Sequence, residues 1–247
     1  MVRSLLAALV LSATLLAPVA EGGPAASAAT SSTSTTSVVI GHSVKGRAIR
    51  AWHLGGMAGE GPVVVLMAAM HGDETAPTRI LTALRRGGPI VGADVWIVPT
   101  LNPDGRARHR RWNAHGVDLN RNFPTSWIRQ TGRYDSGATA GSEPETKAAM
   151  AFLRSVRPDY VVSFHQPLNG VDTLTKSQAI GKRIAKALGL RRKAFTCNGG
   201  CHGNLTQWFN AHFSGTAVTV ELGAHPSSAF LRRTAPTALL RVFDAHR

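Results

Sequence analysis

Val63-Val64-Val65-Leu66-Met67-Ala68-Ala69-Met70-His71-Gly72-Asp73-Glu74 is the stretch whose reading decides the fold. Its unbroken apolar run predicts a strand covered on both faces. The polar residues then arrive abruptly, so His71 and Glu74 fall where that strand opens into a loop. Open parallel sheets gather their ligand sites at such carboxyl ends. A histidine and a carboxylate three residues apart can close on one metal ion. The pattern His-x-x-Glu alone is weak, and its meaning depends on what else the chain supplies.

Working outward, Val38–Ile40 reads as a strand, Gly41–Arg47 as a turn and Ile49–Leu54 as a returning strand. Thr75–Arg86 predicts a helix, stopped by Gly87-Gly88-Pro89. Ala93–Pro99 is a further strand, and Asn102-Pro103-Asp104-Gly105 reads as a turn by composition. Between Arg106 and Ala140 there is little periodicity. A long irregular segment in a compact domain is expected to carry function. Ser142 and Glu145 then predict a capping box, with Pro144 in the first turn of a helix running to about Val156. Tyr160–Phe164 is a strand that ends at His165. Ser177–Leu188 is a basic amphipathic helix stopped by Gly189, and Asn204–His212 is helical. Ala217–Val220 is a strand that ends at Glu221, and Ser227–Ala245 is a closing helix interrupted near Pro236. Strands alternating with helices predict an α/β fold, with a largely parallel sheet and helices on both faces.

The length of 247 residues, 43% of them hydrophobic, suits one such domain and does not demand two. Lys and Arg number 28 against 14 Asp and Glu, a formal charge of +14. That surplus suits anionic partners. The basic residues are scattered rather than striped, and no nucleic-acid motif with interleaved aromatics occurs, so no nucleic-acid partner is expected.

The N-terminus reads as a targeting segment. Arg3 precedes an apolar run, Leu5–Ala20, and Ala25-Ala26-Ser27-Ala28-Ala29 offers small residues for cleavage. Residues 1–29 are expected to be a secretory signal, with an uncleaved membrane anchor as the competing reading. Residues 30–37 form a Ser/Thr-rich linker, and 38–247 the folded domain. No later stretch is long and apolar enough to span a membrane. The expectation is a secreted or wall-associated monomer that leaves the membrane once the signal is removed. In an exported chain an even cysteine count favours a disulfide, here Cys197 with Cys201.

Three predicted strands therefore end at residues with metal chemistry: His71 with Glu74, His165, and Glu221. Neighbouring strand ends in a parallel sheet can share one site. Two histidines and a carboxylate form a ligand set known from catalytic zinc centres, with one position left for water. A further carboxylate would then be available as a base. The bland alternatives are a surface or core histidine and a helix-start acid; the set is more specific than any member.

The sequence resembles the zinc carboxypeptidases, the M14 metallopeptidases, and within them the murein peptide amidase branch. The resemblance rests on Gly41–Arg47, His71-Gly72-Asp73-Glu74, Asn102–Gly105, Gly116-Val117-Asp118-Leu119-Asn120-Arg121-Asn122-Phe123-Pro124, Gly141–Thr146, Val162–His165 and Val220-Glu221-Leu222, in that order. It implies a carboxypeptidase-like α/β/α sandwich holding one zinc ion on His71, Glu74 and His165. It implies Glu221 as general base and acid, and Arg111 as the arginine facing the developing oxyanion, with Arg110 the alternative. It implies Asn120 and Arg121 as the grip on a terminal carboxylate, and Asp118 as the acid orienting His71. The activity implied is hydrolysis of an amide next to a residue with a free carboxylate, with a peptidoglycan stem peptide as substrate, cut between γ-D-glutamate and diaminopimelate. General C-terminal trimming, deacylation of N-acyl amino acids and wall binding without catalysis are the rivals. One departure is plain. Many relatives carry a mobile tyrosine before the last helix–strand unit, whereas this chain has only Tyr134 and Tyr160, both elsewhere. His202 lies in the corresponding stretch.

Overall fold

Alternate side chains of the central strands enter two different cores. Val64, Leu66, Val162, Phe164, Val218 and Val220 share one, whereas Val65, Met67, Val161 and Ala217 share the other. A strand with both faces covered has no solvent side to mark, which is why these segments read as continuous apolar runs. The computed structural model describes residues 35–55, 61–197 and 201–247. The expected signal segment, most of the linker and the centre of the Cys197–Cys201 loop lie outside the described residues.

The strands are β1 (Thr36–His42), β2 (Ala48–His53), β3 (Val63–Met67), β4 (Asp94–Val98), β5 (Tyr160–His165), β6 (Leu168–Asp172), β7 (Arg192–Lys193) and β8 (Thr216–Gly223). They form one sheet in the order β1-β2-β4-β3-β5-β8-β6-β7. β4, β3, β5 and β8 are parallel neighbours. β1 and β2 add an antiparallel edge on one side, and β6 runs antiparallel to β8 on the other. The first core is closed by α1 (Ala76–Arg86), α4 (Gln178–Leu188) and α6 (Ala235–Val242); the second by α3 (Pro144–Val156) and α5 (Leu205–His212). This is the three-layer α/β/α arrangement expected, with a mixed sheet that is parallel at its centre. The register sets His165 of β5 beside Glu221 of β8.

Several local expectations change. β1 begins at Thr36, so two residues read as linker pair with β2. β3 stops at Met67, because Ala69 takes a left-handed backbone (φ 48°) that turns the chain before His71. Asn102–Gly105 opens a short helix, α2 (Pro103–Arg108), which the Asn102 side chain caps by accepting from Gly105 N at 2.8 Å. The capping box of α3 does not form. Ser142 donates to Glu143 Oε1 (2.6 Å), and Glu145 turns inward to accept from Val44 N (3.1 Å) and Asn113 Nδ2 (3.0 Å). β6 and β7 lie where no strand was expected. The closing helix has a π-helical turn, Phe230–Thr234, leading into α6, whose first turn holds Pro236. Proline cannot donate to the preceding turn, and the wider turn absorbs that loss. Among the described residues no helix is long and apolar enough to cross a membrane.

Candidate metal centre

The loop from His71 to Glu74 is held from below by the chain that follows β4. Asn102 Nδ2 donates to Met70 O and to Arg111 O, each at 3.3 Å, and Gly72 N donates to Arg111 O at 3.3 Å. Gly72 lies directly on the backbone of Gly105 and Arg106, where a β-carbon would overlap both. Gly72→Ala should therefore force two backbone segments apart, at a cost of roughly 1–3 kcal/mol. Thermal melts should show a Tm several degrees lower than wild type. Gly88→Ala is the control, since nothing lies within 4 Å of its added carbon. Equal melting of both variants would refute this account of the loop.

His71, Glu74 and His165 are all buried, and they bring one ligand atom each to within 4.8 Å of one another. His71 Nδ1 lies 2.7 Å from Glu74 Oε1 and 3.2 Å from His165 Nδ1, and His165 Nδ1 lies 2.9 Å from Glu74 Oε2. Arg111 Nη1 also approaches His71 Nδ1, at 3.3 Å. A single ring nitrogen carries either a proton or a lone pair, so these contacts cannot all be satisfied at once. A cation among the three ligand atoms resolves the conflict. The outer nitrogens are already engaged: His71 Nε2 with Asp118 Oδ1 (3.0 Å) and His165 Nε2 with Ser163 Oγ (3.0 Å). That is how ligating imidazoles are oriented. The donor set fits zinc.

The electrostatics agree. Burial lowers the pKa of the His71 imidazole, but Glu74 and Asp118 together outweigh it and raise it to about 9. Burial raises the Glu74 carboxyl, and the two histidines overcome that and pull it to about 2. Asp118 is fully enclosed yet held well below the usual carboxylate range by His71, Arg111 and Arg121, against the opposing effect of burial. Without a metal the pocket holds a proton on an imidazole, which metal binding must displace.

The irregular segment supplies the rest. Asp118 starts a 3₁₀ turn, Leu119–Arg121, by accepting from Asn120 N (3.0 Å). Its Oδ2 accepts from Arg111 Nε (3.0 Å) and Nη2 (2.7 Å), which leaves Arg111 Nη1 toward the triad, 3.7 Å from Glu74 Oε1. Arg111, not the exposed Arg110, reaches the site. Arg121 is 5% exposed, and among the described residues it has no carboxylate within 4.0 Å. It donates only to Asn120 O (2.7 Å) and Cys197 Sγ (3.1 Å). Asn120 Oδ1 accepts from Leu205 N (3.1 Å), so its amide nitrogen is left to donate. Tyr134 lies under both guanidiniums, with Arg121 5.0 Å and Arg111 5.5 Å from its ring centre. The sequence reading missed this tyrosine, because a loop with no periodicity does not announce where it folds back.

Over the triad opens a cavity of about 550 Å³. Arg111, Asn120, Arg121, Tyr134, Glu221 and the cysteine pair are among its walls. Glu221 Oε2 accepts from Leu168 N (3.2 Å). Burial pushes its carboxyl up, His165 opposes this, and Glu74 adds to it. Cys197 and Cys201 are joined by a disulfide. His202 lies 3.1 Å from Ser126 O and is not among the cavity walls. Of the eight expected site residues, His71, Glu74, Arg111, Asn120, Arg121 and Glu221 line the cavity, and Asp118 sits behind His71 and Arg111. His165 enters through the buried triad.

The profile of the family described as Zinc carboxypeptidase matches residues 25–86 and 90–169, so the match ends before Glu221. The chain is 36% identical over 141 residues to Murein peptide amidase A of Escherichia coli (strain K12), a match covering 51% of this chain and 57% of the relative. It is 34% identical over 139 residues to Murein peptide amidase A of Vibrio campbellii, covering 51% and 54%. The chain thus spans little more than half the length of these relatives. Among solved structures, the murein-tripeptide amidase of Escherichia coli O157 superposes with a TM-score of 0.71 at 27% identity, covering 85% of this chain and 92% of that one. Carboxypeptidase A of Helicoverpa armigera shares the fold at a TM-score of 0.70 and 20% identity, covering 86% and 68%.

Proposed function

The chain belongs to the zinc carboxypeptidase family, M14, and from that premise we propose that it is a zinc-dependent hydrolase of an amide next to a residue with a free carboxylate, acting on peptidoglycan stem peptides at the γ-D-glutamyl–diaminopimelate bond. The observation that carries this reading is Arg121: a buried guanidinium at the cavity wall with no carboxylate within 4.0 Å among the described residues. A buried charge without a partner is costly, so such a site is built for an anionic ligand. A guanidinium takes a carboxylate through two parallel bonds. The free amide nitrogen of Asn120 adds a third donor. The murein peptide amidases among the relatives supply the substrate class.

His71, Glu74 and His165 would hold the zinc. Bound there, zinc supplies a Lewis acid for the scissile carbonyl and acidifies water. Arg121 and Asn120 fix the terminal carboxylate and so place the amide. Arg111 Nη1, steadied through Asp118, donates to the carbonyl oxygen as negative charge develops on it. Glu221 takes a proton from the attacking water at its carboxylate and passes it to the leaving nitrogen. Leu168 N holds one Glu221 oxygen, which orients the other. Export through residues 1–29 belongs to the same proposal and rests on the sequence pattern alone.

The test is a defined stem tripeptide, L-alanyl-γ-D-glutamyl-diaminopimelate, incubated with zinc-loaded protein and followed by mass spectrometry. Release of free diaminopimelate is expected, lost on chelation and absent when the terminal carboxylates are amidated. Cleavage of α-linked peptides alone would move the assignment to general C-terminal trimming. Absence of chelator-sensitive cleavage of any free-carboxylate peptide would overturn the proposal.

A further inference from the structure

The polar and aromatic partners of Arg121 among the described residues are all neutral. Asn120 O and Cys197 Sγ accept from it at 2.7 and 3.1 Å, and its guanidinium carbon lies 5.0 Å from the centre of the Tyr134 ring. Burial pulls the Arg121 guanidinium below its ordinary pKa; Asp118 opposes this and Arg111 adds to it. Arg111 is held differently. Asp118 Oδ2 fixes it through two bonds, at 3.0 and 2.7 Å, although its guanidinium carbon also lies 5.5 Å from the ring centre.

The backbone around the ring is tied down on both sides. Tyr134 closes the 3₁₀ turn Gly132–Tyr134. Trp112 Nε1, next to Arg111 in the chain, donates to Arg133 O (2.8 Å). Asp118 N donates to Asp135 O (2.8 Å), and Asn122 Nδ2, next to Arg121, donates to Ser136 O (2.8 Å). The turn is therefore stitched to the segments that carry both arginines. An aromatic face attracts a cation through its quadrupole. It takes none of the guanidinium's five N–H donors, so the fork stays free for a carboxylate. A carboxylate in the same place would spend the charge, and an aliphatic side chain would leave a buried cation with less to offset it.

We propose that Tyr134 is a positioning residue for substrate: its ring holds Arg121 at the cavity wall by a cation–π contact, so that the guanidinium keeps its charge and its donors for the incoming carboxylate. The inference rests on the proposed carboxylate grip. It adds that affinity for the substrate follows the electron density of one ring rather than its bulk. Because Asp118 already fixes Arg111, the ring acts on KM more than on kcat.

The test titrates diaminopimelate into the zinc-loaded protein by calorimetry and measures turnover of the stem tripeptide on the same samples. Tyr134→Leu should weaken binding by about 2–30-fold, the span of a cation–π contact, and raise KM with it. Tyr134→Phe should restore what the leucine loses. Position 134 is then filled with mono-, tri- and pentafluorophenylalanine, which drain charge from the ring face at nearly constant shape. Affinity should fall stepwise toward the leucine value, with kcat moving less than KM and Tm unchanged. Flat affinity across the fluorine series overturns the inference, as does affinity that follows Tm instead of fluorine content. A Tyr134→Phe variant as weak as Tyr134→Leu overturns it too, by assigning the effect to the hydroxyl. Arg121→Ala separates this from the underlying reading: if it binds diaminopimelate as tightly as wild type, the carboxylate grip itself is wrong.

Discussion

Glu221→Gln is expected to lower kcat by about 10²–10⁴-fold while leaving the zinc content of the protein unchanged. The amide is nearly isosteric and can still accept from Leu168 N, so β6 and β8 keep their register. What it cannot do is take a proton. Glu221 stands outside the set of three residues whose ligand atoms converge, so metal affinity should not follow it. Turnover of the stem tripeptide and metal analysis of the same sample check both halves. Activity within tenfold of wild type would remove Glu221 from proton transfer. Loss of zinc would make it a ligand, which would mean the three-residue site is misread.

Asp118→Asn should act on three functions at once. Zinc affinity should fall by about 10–100-fold, as found when the acceptor behind a ligating histidine is lost. The activity that remains at saturating zinc should also be below wild type, because the new amide has one accepting atom in place of two and cannot serve His71 and Arg111 together. One carboxylate orients His71 through Oδ1 (3.0 Å), holds Arg111 through Oδ2 (2.7 Å) and starts the turn that carries Asn120 and Arg121. Competition against a chromogenic chelator measures the first effect, and kcat with excess zinc measures the second. Unaltered zinc affinity would show that His71 needs no partner on its outer nitrogen.

The sites legible in the sequence were those that end apolar runs. Val63–Met70, Tyr160–Phe164 and Ala217–Val220 are buried on both faces, so each stood out, and each led directly to a polar residue of the site. β6 did not stand out. Its sequence, Leu-Asn-Gly-Val-Asp, is poor in strand formers, and only its last three residues are buried. It is a strand because β8 offers it an open edge, a tertiary cause that no local pattern records. Tyr134 was missed for a related reason: it reaches the site from a short 3₁₀ turn, Gly132–Tyr134, inside the irregular segment. The capping box failed because Glu145 had a stronger use, binding Val44 N across 101 residues of sequence. Resemblance supplied the roles of Arg111, Asn120 and Arg121, and the spacing of seven residues before Asp118 favoured Arg111 over its neighbour Arg110.

The contact between Arg121 and Cys197 gives the folding environment a hand in substrate affinity. A disulfide sulfur is neutral and does not titrate, so it steadies the Arg121 guanidinium without spending its charge. A free thiol in that place, beside an arginine, would ionise more readily. The resulting thiolate would be a resident anion on the clamp, competing with every incoming carboxylate. Material made or assayed under thiol reductants would then show a raised KM with its metal still in place, a fault that is easily mistaken for the wrong choice of substrate.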